Sequence, residues 1–285
     1  MPMKRTTLMI GLGILMVLAG GVTAYTLSQQ SITLKGSDTM LILNQRWAEA
    51  YGRVNPRVSV SVTGGGSSIG INALINGVTD ICASSRPMRK SEIDRARSRG
   101  VVVNEIPVAL DGLAVCVHES NPVDSLTMDQ LRRIYIGQIT NWRQVGGPDL
   151  PIVAFSRDSN SGTYGFFQQQ VLKNQNWGRG VRFMPSTSEE AREVARTPGG
   201  IGYGGVAYFK NRSGIKILKI AAKEGEPAYA PTEENVRNRK YPIWRYLYFY
   251  TNGKPRGEVA KFIEWVRSKE GQSLVEEVGY YSLNP

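Results

Sequence analysis

The sequence predicts an α/β protein, a parallel sheet with helices packed on it. Two observations carry this. The first part of the chain repeats a strand–turn–helix unit, and such alternation favours parallel strands joined by helical crossovers. The turns beginning at Gly36, Gly64, Ser84 and Arg157 are all rich in Ser, Thr and Gly. In such sheets these turns lie at the carboxyl ends of strands, where ligands bind.

Each element has its own signal. Ile32-Thr33-Leu34-Lys35 reads as a strand, and Met40, Leu43, Trp47 and Tyr51 mark one face of the helix after it. Val58, Val60 and Val62 alternate with serines as in a half-buried strand. Ile71, Leu74, Ile75 and Val78 describe the next helix, and Asp80-Ile81-Cys82-Ala83 the next strand. Ser91 is the expected cap of a basic helix running to about Arg99. Residues 113–117 form an apolar strand. Thr127 and Gln130 fit a capping box opening a helix through Leu131, Ile134 and Tyr135, and Ser186 with Glu189 opens another. Ile215, Ile217 and Leu218 read as a strand, 228–240 as a loop, and 246–250 as an aromatic strand. Amphipathic helices over Val259–Phe262–Ile263–Val266 and Leu274–Val275–Val278 close the chain.

The most telling stretch is Arg157-Asp158-Ser159-Asn160-Ser161-Gly162-Thr163-Tyr164. It joins the strand at 152–155 to a helix whose face is Tyr164, Phe167 and Val171. A helix N-terminus offers unpaired N–H groups and the positive end of the dipole. Ser161 and Thr163 add hydroxyls, Gly162 permits close approach, and Arg157 adds a fixed charge. In outline this is a trap for a small oxyanion; the plainer reading is an ordinary capped helix with a surface arginine.

At 285 residues the chain can build one large or two medium domains. The net charge of +11 is scattered, with no basic–aromatic run and no nucleic-acid-binding signature, so it suits small anions better than nucleic acid. Residues 1–27 read as a signal peptide or N-terminal anchor: Lys4 and Arg5 precede an apolar run over 8–19, then Val22 and Ala24 resemble a cleavage site. Export permits a disulfide between Cys82 and Cys116, and two buried thiols are the equal alternative. One histidine and two distant cysteines give no metal site, and no cofactor is expected.

Eight segments in order resemble one family: Gly36-Ser37-Asp38-Thr39-Met40, Gly65-Gly66-Ser67-Ser68, Ala83-Ser84-Ser85-Arg86-Pro87, Tyr135-Ile136-Gly137 with Asn141-Trp142, Arg157 with Ser161-Gly162-Thr163, Gly200-Ile201-Gly202-Tyr203, Pro231-Thr232-Glu233-Glu234-Asn235, and Gly271-Gln272. The chain resembles the periplasmic phosphate-binding subunits of bacterial phosphate ABC transporters. That resemblance implies the type II periplasmic-binding-protein fold, two α/β lobes joined by two crossing strands, with lobe 1 at 31–111 plus 243–285 and lobe 2 at 112–242. It implies a monomer in the periplasm or otherwise outside the cytoplasm, with inorganic phosphate as ligand and a membrane permease as partner. Carried over by position, the site comprises Ser37, Asp38, Thr39, Ser67, Ser85, Arg86, Arg157, Ser161, Gly162 and Thr163. Family members often carry at position 85 an Asp that accepts a proton from phosphate and excludes sulfate. Here Ser85 stands there, beside Arg86, and Asp38 or Asp158 is the candidate replacement carboxylate.

Other readings are another oxyanion (sulfate, molybdate or arsenate), an anchored sensor, and, more distantly, a serine hydrolase. Gly66-Ser67-Ser68-Ile69-Gly70 matches a nucleophile elbow, but His118 is the single histidine and no later one completes the usual order. Gly200 to Gly205 matches a dinucleotide fingerprint with no convincing helix after it, so turn glycines of a strand pair are the better reading.

Overall fold

The computed structural model describes residues 30–283, so the expected export segment lies outside the described residues. The first lobe opens with β1 (Gln30–Gly36), α1 (Leu41–Val54), β2 (Val58–Thr63), α2 (Ser67–Ile75), β3 (Ile81–Ser84) and α3 (Lys90–Ser98). A long strand, β4 (Val103–His118), carries the chain into the second lobe. There follow β5 (Ser125–Thr127), α4 (Met128–Tyr135), β6 (Val153–Arg157), α5 (Gly162–Gln170), β7 (Arg182–Met184), α6 (Thr187–Arg196) and β8 (Gly200–Gly205). Then come β9 (Ile215–Ile217), β10 (Lys219–Ala221), β11 (Ala228–Tyr229) and α7 (Glu233–Arg237). The return strand β12 (Trp244–Asn252) and helices α8 (Gly257–Val266) and α9 (Lys269–Val278) complete the fold.

The main sheet runs β2-β1-β3-β12-β4-β8-β6-β7, with β9 also on β4. Its two ends are parallel, β1 pairing with β2 and β3, and β6 with β7 and β8. The middle, where β12, β4 and β8 meet, is antiparallel. β4 belongs to both halves: it pairs with β12 as far as Gly112 and with β8 from Leu113 onward. The lobes are therefore joined by hydrogen-bonded backbone rather than by loose linkers.

The amphipathic faces pack as the spacing predicts: Met40, Leu43, Trp47 and Tyr51 are buried under α1, and Phe262, Ile263, Val266 and Val275 under the last helices. Other expectations need correction. Helix α2 stops at Ile75, so Val78 lies beyond it and is 66% exposed. Helix α3 starts a residue before Ser91, and Glu92 accepts from the Arg89 amide to fasten that end. Residues 228–240 contain α7, whose cap is Thr232. The glycines after Gly200 are a buried strand, not turns. A Cβ at Gly202 would lie 2.7 Å from Val194, and one at Gly204 would lie 2.5 Å from Phe209, so close packing fixes both residues. Cys82 and Cys116 are buried free thiols, which burial pushes up in pKa. No helix among the described residues is long and apolar enough to cross a membrane.

Candidate oxyanion site

Four helix N-termini meet where the lobes touch. Helices α1 and α2 come from the first lobe, α5 and α6 from the second. Their first turns carry the hydroxyls and amides that the sequence singled out. The Oγ1 atoms of Thr39 and Thr163 lie 2.7 Å apart across the cleft. Ser85 Oγ lies 3.3 Å from Ser67 Oγ and 3.4 Å from Thr163 Oγ1. Ser85 also donates its amide to Ser67 Oγ at 3.1 Å. Ser37, Thr39, Ser67, Ser85, Arg157, Ser161 and Thr163 are all buried. Such a concentration of buried polar groups is expensive unless each finds a partner, yet Ser37 Oγ has none among the described residues. The amides of Asp38 and Thr39, just before α1, and of Ser67 and Gly162, the first residues of α2 and α5, also donate to no described group.

Two glycines make this closeness possible. Gly66 has a φ of 113°, a backbone that other residues rarely adopt, and a Cβ there would lie 2.5 Å from the Asn160 carbonyl of the other lobe. At Gly162 a Cβ would meet Ser67 Oγ at 2.2 Å. Ser68 donates its amide to Asn160 O at 3.1 Å, so the lobes bond through backbone here. Ser161 is a helix cap, accepting from the Thr163 and Tyr164 amides. Capping consumes its acceptor lone pairs and leaves its O–H as a donor.

Arg157 closes the cluster from the second-lobe side. Its Nε donates to Met184 O at 3.3 Å, Nη1 to Thr187 Oγ1 at 2.6 Å and Nη2 to Pro185 O at 2.9 Å. Those bonds fix the guanidinium and leave two of its five N–H groups. Nη1 also lies 3.2 Å from Asp38 Oδ2. That oxygen accepts from the Thr187 amide at 2.8 Å and hydroxyl at 2.9 Å. Asp38 thus reaches from the first lobe to the N-terminus of α6 in the second, while its Oδ1 is unengaged among the described residues. Asp158, the other candidate carboxylate, spends Oδ1 on the Asn160 amide and shapes the turn instead.

Arg86 is not brought into the cluster in the same way. Both its terminal nitrogens bind Glu92, at 2.8 and 2.7 Å, and one reaches Ser68 Oγ at 3.2 Å. Burial opposes the charge on Glu92, but bonds from Arg86 and the Arg89 amide outweigh it and hold the carboxyl below its ordinary range. Sequence reading missed Glu190, fully buried in α6, which accepts from the Tyr203 amide at 2.8 Å and has Oε2 unpartnered. Burial pushes its carboxyl up to about 8, so at neutral pH it is chiefly uncharged behind Arg157. The cluster therefore presents hydroxyl and amide dipoles, and arginines that already have carboxylate partners. It is suited to a small, dehydrated tetrahedral oxyanion.

No hydrolytic triad assembles around Ser67. His118 bonds Ser120 Oγ at 2.8 Å at the end of β4, and the hydrogen-bond partners of Ser67 Oγ are the hydroxyl and amide of Ser85. No group of His, Cys, Asp and Glu among the described residues could hold a metal ion.

The model of the PBP superfamily domain matches residues 22–270. The phosphate-binding protein PstS of Pseudomonas aeruginosa is 33% identical over 265 residues, covering 87% of this chain and 81% of that protein. PstS of Borreliella burgdorferi is 30% identical, covering 90% and 91%. A crystal structure of a phosphate ABC transporter substrate-binding protein from Clostridium perfringens, with bound phosphate, superposes with a TM-score of 0.80 at 31% identity, covering 90% of this chain and all of that one. With its two-lobed fold and these relatives, the chain belongs to the PBP superfamily, in the family of the PstS phosphate-binding proteins.

Proposed function

We propose that this protein captures inorganic phosphate outside the cytoplasm and delivers it to the permease of an ABC transporter. The observation that carries this reading is the meeting of four helix N-termini around a buried cluster of hydroxyls and unspent amides, beside Arg157. The ligand would be held by Ser37, Thr39, Ser67, Ser85, Arg157, Ser161, Gly162 and Thr163, with Asp38 adjoining and Arg86 acting from behind through Ser68. The lobes would divide at 111/112 and 242/243. In support, β4 changes partners between Gly112 and Leu113, and β12 begins at Trp244 opposite Gly112. Release requires the lobes to part, a hinge motion that breaks the Thr39–Thr163 and Asp38–Thr187 contacts.

The protein would act as a monomeric binding protein rather than an enzyme, with residues 1–27 as its export signal or anchor. Each neutral hydroxyl should contribute modestly. Ser67→Ala and Ser161→Ala should each weaken phosphate binding by about 1–2 kcal/mol in calorimetric titration. Unchanged affinity in both variants would remove these turns from the site.

A further inference from the structure

Behind the cluster, where the connecting strands pass between the lobes, two buried charges face each other. Arg245 of β12 stands opposite Asp111 of β4, and their side chains are 1% and 0% exposed. Nε donates to Asp111 Oδ2 at 2.8 Å, and Nη2 lies 2.8 Å from the same oxygen. A buried ion pair is a poor way to make a stable strand crossing, since well-packed apolar residues often do better. The remaining partners of the pair suggest what it is for. Asp111 Oδ1 accepts from the Val206 amide of the second lobe at 3.0 Å. Arg245 Nη1 donates to the carbonyl of Ser85, in the first-lobe part of the cluster, at 3.0 Å. The guanidinium lies over the Phe166 ring, 5.2 Å from its centre. Phe166 is in α5, whose first turn carries Gly162 and Thr163.

We infer that Arg245 is a positioning residue for the oxyanion site, holding the Ser85 turn at all times and helix α5 only when the lobes are closed. Ser85 and β12 belong to one side of the cleft, α5 to the other. Opening must separate Ser85 Oγ from Thr163 Oγ1, and Phe166 moves with Thr163. The ring then leaves the guanidinium, uncovering a charge that is fully buried in the closed form. The arginine–ring interaction thus forms as the lobes close and adds to the bonds made by the ligand. An interaction that exists only in the closed form acts on the dissociation rate more than on the encounter rate. This role rests on the reading of the cluster as the phosphate site.

The test compares wild type, Phe166→Leu and Arg245→Lys. Phosphate dissociation is followed by stopped flow, and lobe separation by distance measurement between probes at Ser98→Cys and Arg133→Cys. Both positions are exposed, and the native cysteines are buried. Phe166→Leu keeps an apolar side chain without the ring face. It should speed dissociation by about three- to tenfold, between the worth of an exposed and of a fully desolvated arginine–ring interaction, since leucine keeps part of the packing. It should leave association unchanged and enlarge the open population without phosphate. Arg245→Lys keeps the charge but loses the fork, and should speed dissociation further. If Arg245→Lys fails to fold, Phe166→Leu carries the test alone. Wild-type dissociation and an unchanged open population in Phe166→Leu overturn the inference, even if its melting temperature falls. A wild type that ignores phosphate while the probes still report the Phe166→Leu shift would count against the ligand assignment and for the positioning role.

Discussion

Replacing Arg157 with alanine should weaken phosphate binding by about tenfold or more, the value of one charge-assisted hydrogen bond at the least. The structure argues for more than a single lost bond. Arg157 is 1% exposed and is bonded to Met184, Pro185 and Thr187, so its removal also loosens the segment that leads into α6. It leaves the Asp38 carboxylate without its cation, an acid facing an anionic ligand. Breaking a largely buried pair by deleting one member is strongly destabilising, so the melting temperature should fall as well. Arg157→Lys separates the effects: it restores charge beside Asp38 but not the planar fork, and should recover stability more than affinity. Near wild-type affinity in the alanine variant would remove Arg157 from the site.

Asp38→Asn should change which anion is accepted. A carboxylate only accepts hydrogen bonds, so beside the ligand it favours an anion that still has a proton to donate. Phosphate retains one at neutral pH and sulfate does not. With Ser85 offering no acid in its turn, Asp38 is the carboxylate paired with Arg157: it is 3.2 Å from Arg157 Nη1, and Asp158 is engaged in its own turn. Asparagine offers an N–H₂ that tolerates both anions. The variant should therefore bind sulfate with an affinity within about tenfold of that for phosphate, the wild type discriminating more strongly. An unchanged preference in Asp38→Asn would make Asp38 a counter-ion for Arg157 and a tie between the lobes, with selectivity set elsewhere.

Local sequence signals revealed the turns that meet in the buried cluster, because each is a cap or a glycine-dependent approach encoded in a few adjacent residues. Thr127 with Gln130 and Ser186 with Glu189 acted as the sequence predicted for the same reason. What stayed hidden depends on distant partners. The first half of β4 escaped notice because Pro107 interrupts its pattern. The sheet accommodates the missing N–H at an irregularity in β4, where Ala109 is opposite Leu247 and Pro107 opposite Tyr248, leaving Val108 as the extra residue. The β8 glycines looked like turns because nothing local shows that Val194 and Phe209 crowd that strand. Arg86 is adjacent to Ser85 in the chain and looks like a ligand group there, whereas in the fold Glu92 takes both of its terminal nitrogens. Asp38 was legible as a candidate acid, but its bond to Thr187, 149 residues away, was not. Arg245 gave no signal, since a lone arginine in an aromatic strand does not announce a buried acid across the sheet.

The most direct test of phosphate capture is calorimetric titration of the chain from Tyr25 onward with phosphate and then with sulfate. The range from about pH 5 to 8 spans the passage of phosphate from one charge to two. Saturable phosphate binding with a single site is expected, with sulfate weaker by about tenfold or more throughout. Equal binding of the two anions would contradict the role given to Asp38. The absence of heat from phosphate at any pH would contradict the central claim.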